Sequence, residues 1–112
     1  QAQGKGCAPG ALGIGIGGDR ATSYVASKEA LFRSLDDQQA DPELFELEKT
    51  ITDQANQLGI GPMGFSGQTT VLGTKIKALH RLPASYFVSI SYVCWAYRRR
   101  RLIYEDGNVE FL

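Results

Sequence analysis

Ala11-Leu12-Gly13-Ile14-Gly15-Ile16-Gly17 is the stretch on which the fold turns. Read with period two, it places Leu12, Ile14 and Ile16 on one face of a strand and leaves the other face bare glycine. Read as a loop, Gly13 to Gly18 satisfies G-x-G-x-x-G, which in a dinucleotide site lies between a strand and a helix with an acid about 20 residues on. Only Gly10-Ala11-Leu12 precedes the glycines here, and the candidate acids Asp36 and Asp37 sit in a polar stretch. The strand reading is the better one. Glycine weakens a strand, so a glycine-lined face implies close approach by backbone or a bound group, or else a tightly packed interior strand.

Outward from this strand, Tyr24, Val25, Leu31, Phe32 and Leu35, with small Ala21 and Ala26, approach helical spacing and predict a helix over 21–35. Asp41-Pro42-Glu43 opens a second helix: Asp as N-cap, Pro in the first turn, an acid at the positive end of the dipole. Leu44, Leu47, Ile51, Ala55 and Leu58 are its apolar stripe, and Gly59 ends it. Thr69 to Leu79 reads as a strand. Tyr86 to Tyr97 reads as a second, with Tyr86, Val88, Ile90, Tyr92 and Cys94 on one face; neither face is fully polar, so cover on both sides is expected. Leu102-Ile103-Tyr104 and Val109-Glu110-Phe111 flank Glu105-Asp106-Gly107-Asn108 as a β-hairpin. The predicted order β-α-α-β-β-β is an α+β layer structure, a mixed or antiparallel sheet packed with two helices.

The chain has 112 residues, 43% of them hydrophobic, enough for one small domain with a core. Twelve basic and twelve acidic residues cancel, so no whole-chain field favours nucleic acid or an anionic membrane. No apolar run approaches a bilayer span and no signal peptide opens the chain, which reads as a soluble, cytoplasmic protein. Arg98-Arg99-Arg100-Arg101 is read as a solvated strand end or subunit interface rather than a nucleic-acid patch, with Trp95 and Tyr97 as anchors or core.

Cys7 and Cys94 are the two cysteines. Taken alone they read as buried, reduced thiols, and zinc is unsupported without a C-x-x-C pair and with His80 as the one histidine. Leu58-Gly59-Ile60-Gly61-Pro62-Met63-Gly64-Phe65-Ser66-Gly67-Gln68-Thr69-Thr70 is a Gly-rich loop. Its backbone amides suit either an anion nest or chain reversal.

These motifs, taken in order, resemble the iron–sulfur-dependent class I fumarase and tartrate dehydratase family from about Gly6 to Arg98. Cys7, in Gly-Cys-Ala-Pro, and Cys94, in Tyr-Val-Cys-Trp-Ala, match two of the family's three cluster cysteines. The resemblance implies a [4Fe–4S] cluster with one iron free of protein ligands, whose third cysteine lies outside this chain. Residues 1–112 are then the carboxyl-terminal portion of the alpha-type catalytic domain, a fragment of a larger catalytic subunit and inactive alone. A dicarboxylate substrate, a beta-type domain or subunit, and a homodimer or α2β2 assembly go with it, as does a place in the tricarboxylic acid cycle. Arg81, His80, Gly64, Gly67 and Thr69 are the candidate substrate-binding residues. Where many family members have Arg-His-Pro-Ala-Ser or Arg-His-Gly-Ala-Ser, this chain has Arg81-Leu82-Pro83-Ala84-Ser85, with Leu82 at the histidine's place and His80 two residues earlier. His80 either substitutes in part or, the preferred reading, this branch lacks the histidine, leaving tartrate or a related dicarboxylate beside fumarate. No residue here matches the family's catalytic base. The alternative from another class is a non-catalytic α+β interaction domain whose cysteines are core.

Overall fold

The computed structural model describes residues 2–112. The glycine stretch is a strand, β1 (Gly10–Gly18), and it is the middle of a three-stranded sheet. Helices α1 (Arg20–Ala30) and α2 (Pro42–Gln57) follow, then β2 (Val71–Arg81), β3 (Val88–Cys94) and a hairpin of β4 (Leu102–Glu105) with β5 (Asn108–Phe111). β1 runs parallel to β2 and antiparallel to β3, so the sheet is mixed and the α+β class stands. The hairpin forms its own two-stranded sheet around Asp106 and Gly107, both at positive φ. That turn favours the Asp-Gly pair found there.

What approaches the glycine face is backbone. A methyl on Gly13 would overlap the carbonyl oxygen of Ser27, and one on Gly15 would overlap that of Ser23. The Ser23 hydroxyl donates to the Gly15 carbonyl at 3.1 Å, and the hydroxyls of Ser27 and Ser91 share a hydrogen bond at 2.6 Å. Helix α1 therefore lies on β1 through its smallest residues: Ser23, Ala26, Ser27 and Ala30 are the buried ones. This reverses the expected face. Tyr24, Val25, Phe32 and Leu35 are exposed, because no large side chain fits where strand and helix backbones touch. The helix also stops at Ala30, short of Leu35, with Asp19 and Thr22 forming a capping box at its start. Because β1 continues through Gly18, with Gly13 and Gly15 closed by α1 and Gly17 by the Leu79 carbonyl, the loop that a dinucleotide site needs is not formed by these glycines.

Helix α2 begins as expected, with Asp41 accepting from the amides of Glu43 and Leu44. Its inner face is less apolar than the predicted stripe. Leu47 and Leu58 are exposed, while Glu48, Thr52 and Asn56, four residues apart, run along the outer edge of β2. Glu48 Oε1 accepts from the Ile76 amide at 2.7 Å, Thr52 bonds Thr74 at 3.0 Å, and Asn56 bonds the amides of Thr70 and Val71 and the carbonyl of Val71. Arg33 and Gln39 donate to the Ile76 carbonyl. Side chains thus occupy backbone groups that an edge strand otherwise leaves open to pairing.

β3 is shorter than expected and ends in a 3₁₀ turn over Trp95–Tyr97. Its Ser91 face is covered by α1, but on the other face Val88 and Ile90 are 50% and 66% exposed. The expected cover on both sides is therefore absent among the described residues, since α2 reaches only to β2. No described helix is long and apolar enough to cross a membrane.

Candidate functional site at the start of the central strand

Strand direction decides which candidate residues meet. β1 begins at Gly10, β2 begins beside it at Val71, and β3 runs back to finish at Cys94, directly opposite Gly10. Cys7 precedes β1 by a short loop. Both free thiols and the Gly-rich loop that leads into β2 consequently gather at one end of the sheet.

Tyr92 neighbours the segments that carry both cysteines. It shares the Cys94 face of β3, and its ring rests on Gly6 and Gly10: a methyl on Gly6 would come within 2.6 Å of the ring, and one on Gly10 would overlap it. Burial pushes the Tyr92 phenol up, and negative charge on Cys94 and then Cys7 acts in the same direction. Cys7 itself is exposed, with φ of 55°, a left-handed backbone that costs a non-glycine residue energy and recurs at functional sites. Cys94 is half-buried. The reading of both cysteines as buried core thus fails for Cys7.

The Gly-rich loop is stitched to this cysteine segment. The Met63 amide donates to the Ala8 carbonyl at 2.8 Å, and Gly64 packs on Gly4 with no room for a side chain between them. Within the loop, the amides of Gly61, Gly64, Phe65 and Ser66 are taken by Thr70 Oγ1, Gly61, Pro62 and Ile60. Those amides are committed to the loop's own shape, so an open nest is not what they form. Gly64 serves close approach, Gly67 sits at φ of 146° against Pro62, and Thr69 is exposed. Thr70, next along, is the threonine that ties the loop down, and neither it nor its partner Asn56 carried a sequence signal for that task.

His80 and Arg81 lie elsewhere. Arg81 pairs with Gly18, eight positions along β1 from Gly10, which at about 3.3 Å per residue is about 26 Å from the Cys94 end. Both are exposed. The expectation of a single group of substrate-binding residues therefore splits: Gly64, Gly67 and Thr69 stay with the cysteines, and His80 and Arg81 do not.

Among the described residues no three of His, Cys, Asp and Glu stand together as a metal site. Of the arginine run, Arg98 stacks on Trp95 at 4.2 Å, and Arg99 donates to the carbonyls of Leu31 and Arg33 beyond α1. A groove of about 860 Å³ runs beside Arg98–Arg100, Ser34 and Asp36, and neither cysteine is in its lining.

Fold and site together define an α+β module that places two free thiols at one end of a mixed sheet. The chain belongs to the fumarate hydratase (Fumerase) family, whose profile matches residues 1–103. It is 58% identical over 124 aligned positions to a protein of Geobacillus stearothermophilus provisionally named a class I fumarate hydratase, covering 99% of this chain and 24% of that one. It is 36% identical to L(+)-tartrate dehydratase subunit alpha of Escherichia coli K12, over 87% of this chain and 32% of the relative. The corresponding subunit of Escherichia coli UTI89 matches at 36% over 95% of this chain and 35% of its own length. The chain thus spans about a quarter to a third of the curated relatives it matches.

Proposed function

We infer that this chain supplies two thiolate ligands, Cys7 and Cys94, to the iron–sulfur cluster of a hydro-lyase that adds water to fumarate or dehydrates a related dicarboxylic 2-hydroxy acid. The observation that supports this reading is that Cys94 ends its strand opposite Gly10 while the segment carrying Cys7 packs on the Tyr92 ring beside it, in a chain whose relatives are named fumarate hydratase and tartrate dehydratase. The donor set fits: two free thiols, one on an exposed loop and one at a strand end, are soft ligands of the type iron–sulfur clusters take. Three thiolates are implied and two are present, so the third ligand comes from polypeptide outside residues 1–112. Residues 1–112 act as part of a catalytic domain that needs the remainder of its subunit, and a beta-type domain or subunit, to turn over.

When bound, such a cluster provides an open iron as a Lewis acid toward a hydroxyl group. This chain's own residues do the rest of what falls to it. The loop of Gly61–Gly67, tied to Ala8 and Thr70, anchors the carboxyl-terminal side of the Cys7 segment. The packed glycines and α1 make the strand beneath rigid, which keeps a ligand at its end fixed.

Assay of the intact protein under nitrogen with fumarate, malate and both tartrates tests this reading. Turnover of at least one of these, abolished in Cys7→Ser and in Cys94→Ser, is the expected result. Full activity in either serine variant, or activity that survives prolonged exposure to air, would overturn it.

A further inference from the structure

Tyr92 is the residue near the cysteines that the geometry singles out. Its ring fills the space where Gly6 and Gly10 have no side chain, and these two glycines bracket Cys7 in the sequence. Gly6 is the cleaner of the two contacts: the three nearest atoms to a methyl there, at 2.6, 3.1 and 3.2 Å, all belong to the Tyr92 ring. The ring's own strand ends two residues later at Cys94, on the same face. One aromatic side chain therefore joins the loop that carries one thiol to the strand that carries the other. Nothing else in that loop is apolar and large: Ala2 to Pro9 offers Ala2, Ala8 and Pro9 as its non-polar side chains. Ala8, on one side of the cysteine, is buried and held by the Met63 amide, whereas on the other side Gly6 has the Tyr92 ring as its nearest neighbour, and Cys7 itself is exposed and at positive φ.

We propose that Tyr92 is a positioning residue whose ring clamps the Gly6–Gly10 segment and so fixes the Cys7 sulfur relative to the Cys94 sulfur. The inference rests on the reading of these cysteines as a ligand pair, and the mechanism is packing by the ring, with the phenolic oxygen dispensable. Outer residues that orient a metal ligand commonly change affinity by about tenfold or more when removed, which sets the scale expected here.

The test uses the intact protein, stripped of metal by a chelator, and dibromobimane, whose two arms must both be taken by thiols to bridge them. Peptide mapping identifies the Cys7–Cys94 bridge, and a melting curve for each variant checks the fold. Wild type and Tyr92→Phe are expected to bridge at equal rates, and Tyr92→Ala about tenfold more slowly. Gly6→Ala lies outside the sheet and drives a methyl into the ring, so it is expected to slow bridging even if Tyr92→Ala does not fold. Bridging at the wild-type rate in Tyr92→Ala, or in Gly6→Ala, would overturn the proposal, as would slow bridging in Tyr92→Phe. Iron content of the protein before stripping separates the two readings. Protein without iron whose bridging still depends on Tyr92 supports the clamp while removing the cluster. Protein with iron whose bridging ignores Tyr92 removes the clamp and leaves the cluster.

Discussion

The two faces of the sheet solve opposite problems. On the α1 face, glycine meets serine and alanine, backbone touches backbone, and no atom can be added at Gly13 or Gly15. On the other face, Ile14 and Ile76 are buried in the middle, but Val88, Ile90 and Tyr92 on β3 remain accessible. Cys94 belongs to this second face. The difference teaches how the chain divides its work. One face spends its sequence on an inflexible platform, and the other leaves β3, up to the cysteine end of that platform, accessible.

The comparison breaks most readily on the closed face. Gly15→Val sets a branched side chain against the backbone of α1, and because backbone cannot swing aside it should cost about 4 kcal/mol or more, read as loss of soluble folded protein. Next comes the closed edge of β2. Arg33→Ala removes the partner of buried Glu48, 2.6 Å away, and one donor to the Ile76 carbonyl, so a loss of about 3 kcal/mol is expected by denaturant titration. A loss under about 0.5 kcal/mol, the size of an ordinary surface change, would mean that this edge is not held as described. A smaller effect is expected from pH. Hydrogen bonds from Arg33, and then Lys75, hold the Asp37 carboxyl below the usual carboxylate range. Its folded-state pKa is thus the lower one, so its contribution is intact at neutral pH and fades as pH falls below about 4. Asp37→Asn should flatten the acid limb of a plot of melting temperature against pH, and an unchanged limb would contradict this. The smallest effect belongs to the open face. Ile90→Thr should shift stability by about 0.5 kcal/mol or less, whereas a loss above about 2 kcal/mol would show that further polypeptide covers β3.

Much of this fold is written locally. Asp41-Pro42-Glu43 starts α2 and Asp106-Gly107 turns the hairpin because caps and turns depend on a few neighbouring residues. The glycine strand is legible from its alternation alone. Which face of α1 is buried is not, because Tyr24, Val25 and Phe32 form the more apolar pattern and only the presence of a glycine wall opposite selects Ser23 and Ser27. Burial of Glu48 has the same origin: it answers an unpaired amide on Ile76, 28 positions away. For the site, the family resemblance named Cys7 and Cys94, and nothing in their spacing does so. The separation of His80 and Arg81 from them follows from the length and parallel direction of β2, which neighbouring residues do not encode. Tyr92 was visible only as one of several apolar residues on a strand face, since its task lies in a contact with glycines more than eighty positions earlier.

The central claim is that Cys7 and Cys94 are ligands to one cluster. Iron and acid-labile sulfide, measured in the intact protein purified without oxygen, test it most directly beside the Cys7→Ser and Cys94→Ser variants. The account predicts roughly four irons per chain in the wild type and their loss in both variants. Wild-type protein without iron, or a serine variant that keeps its full complement, would contradict it.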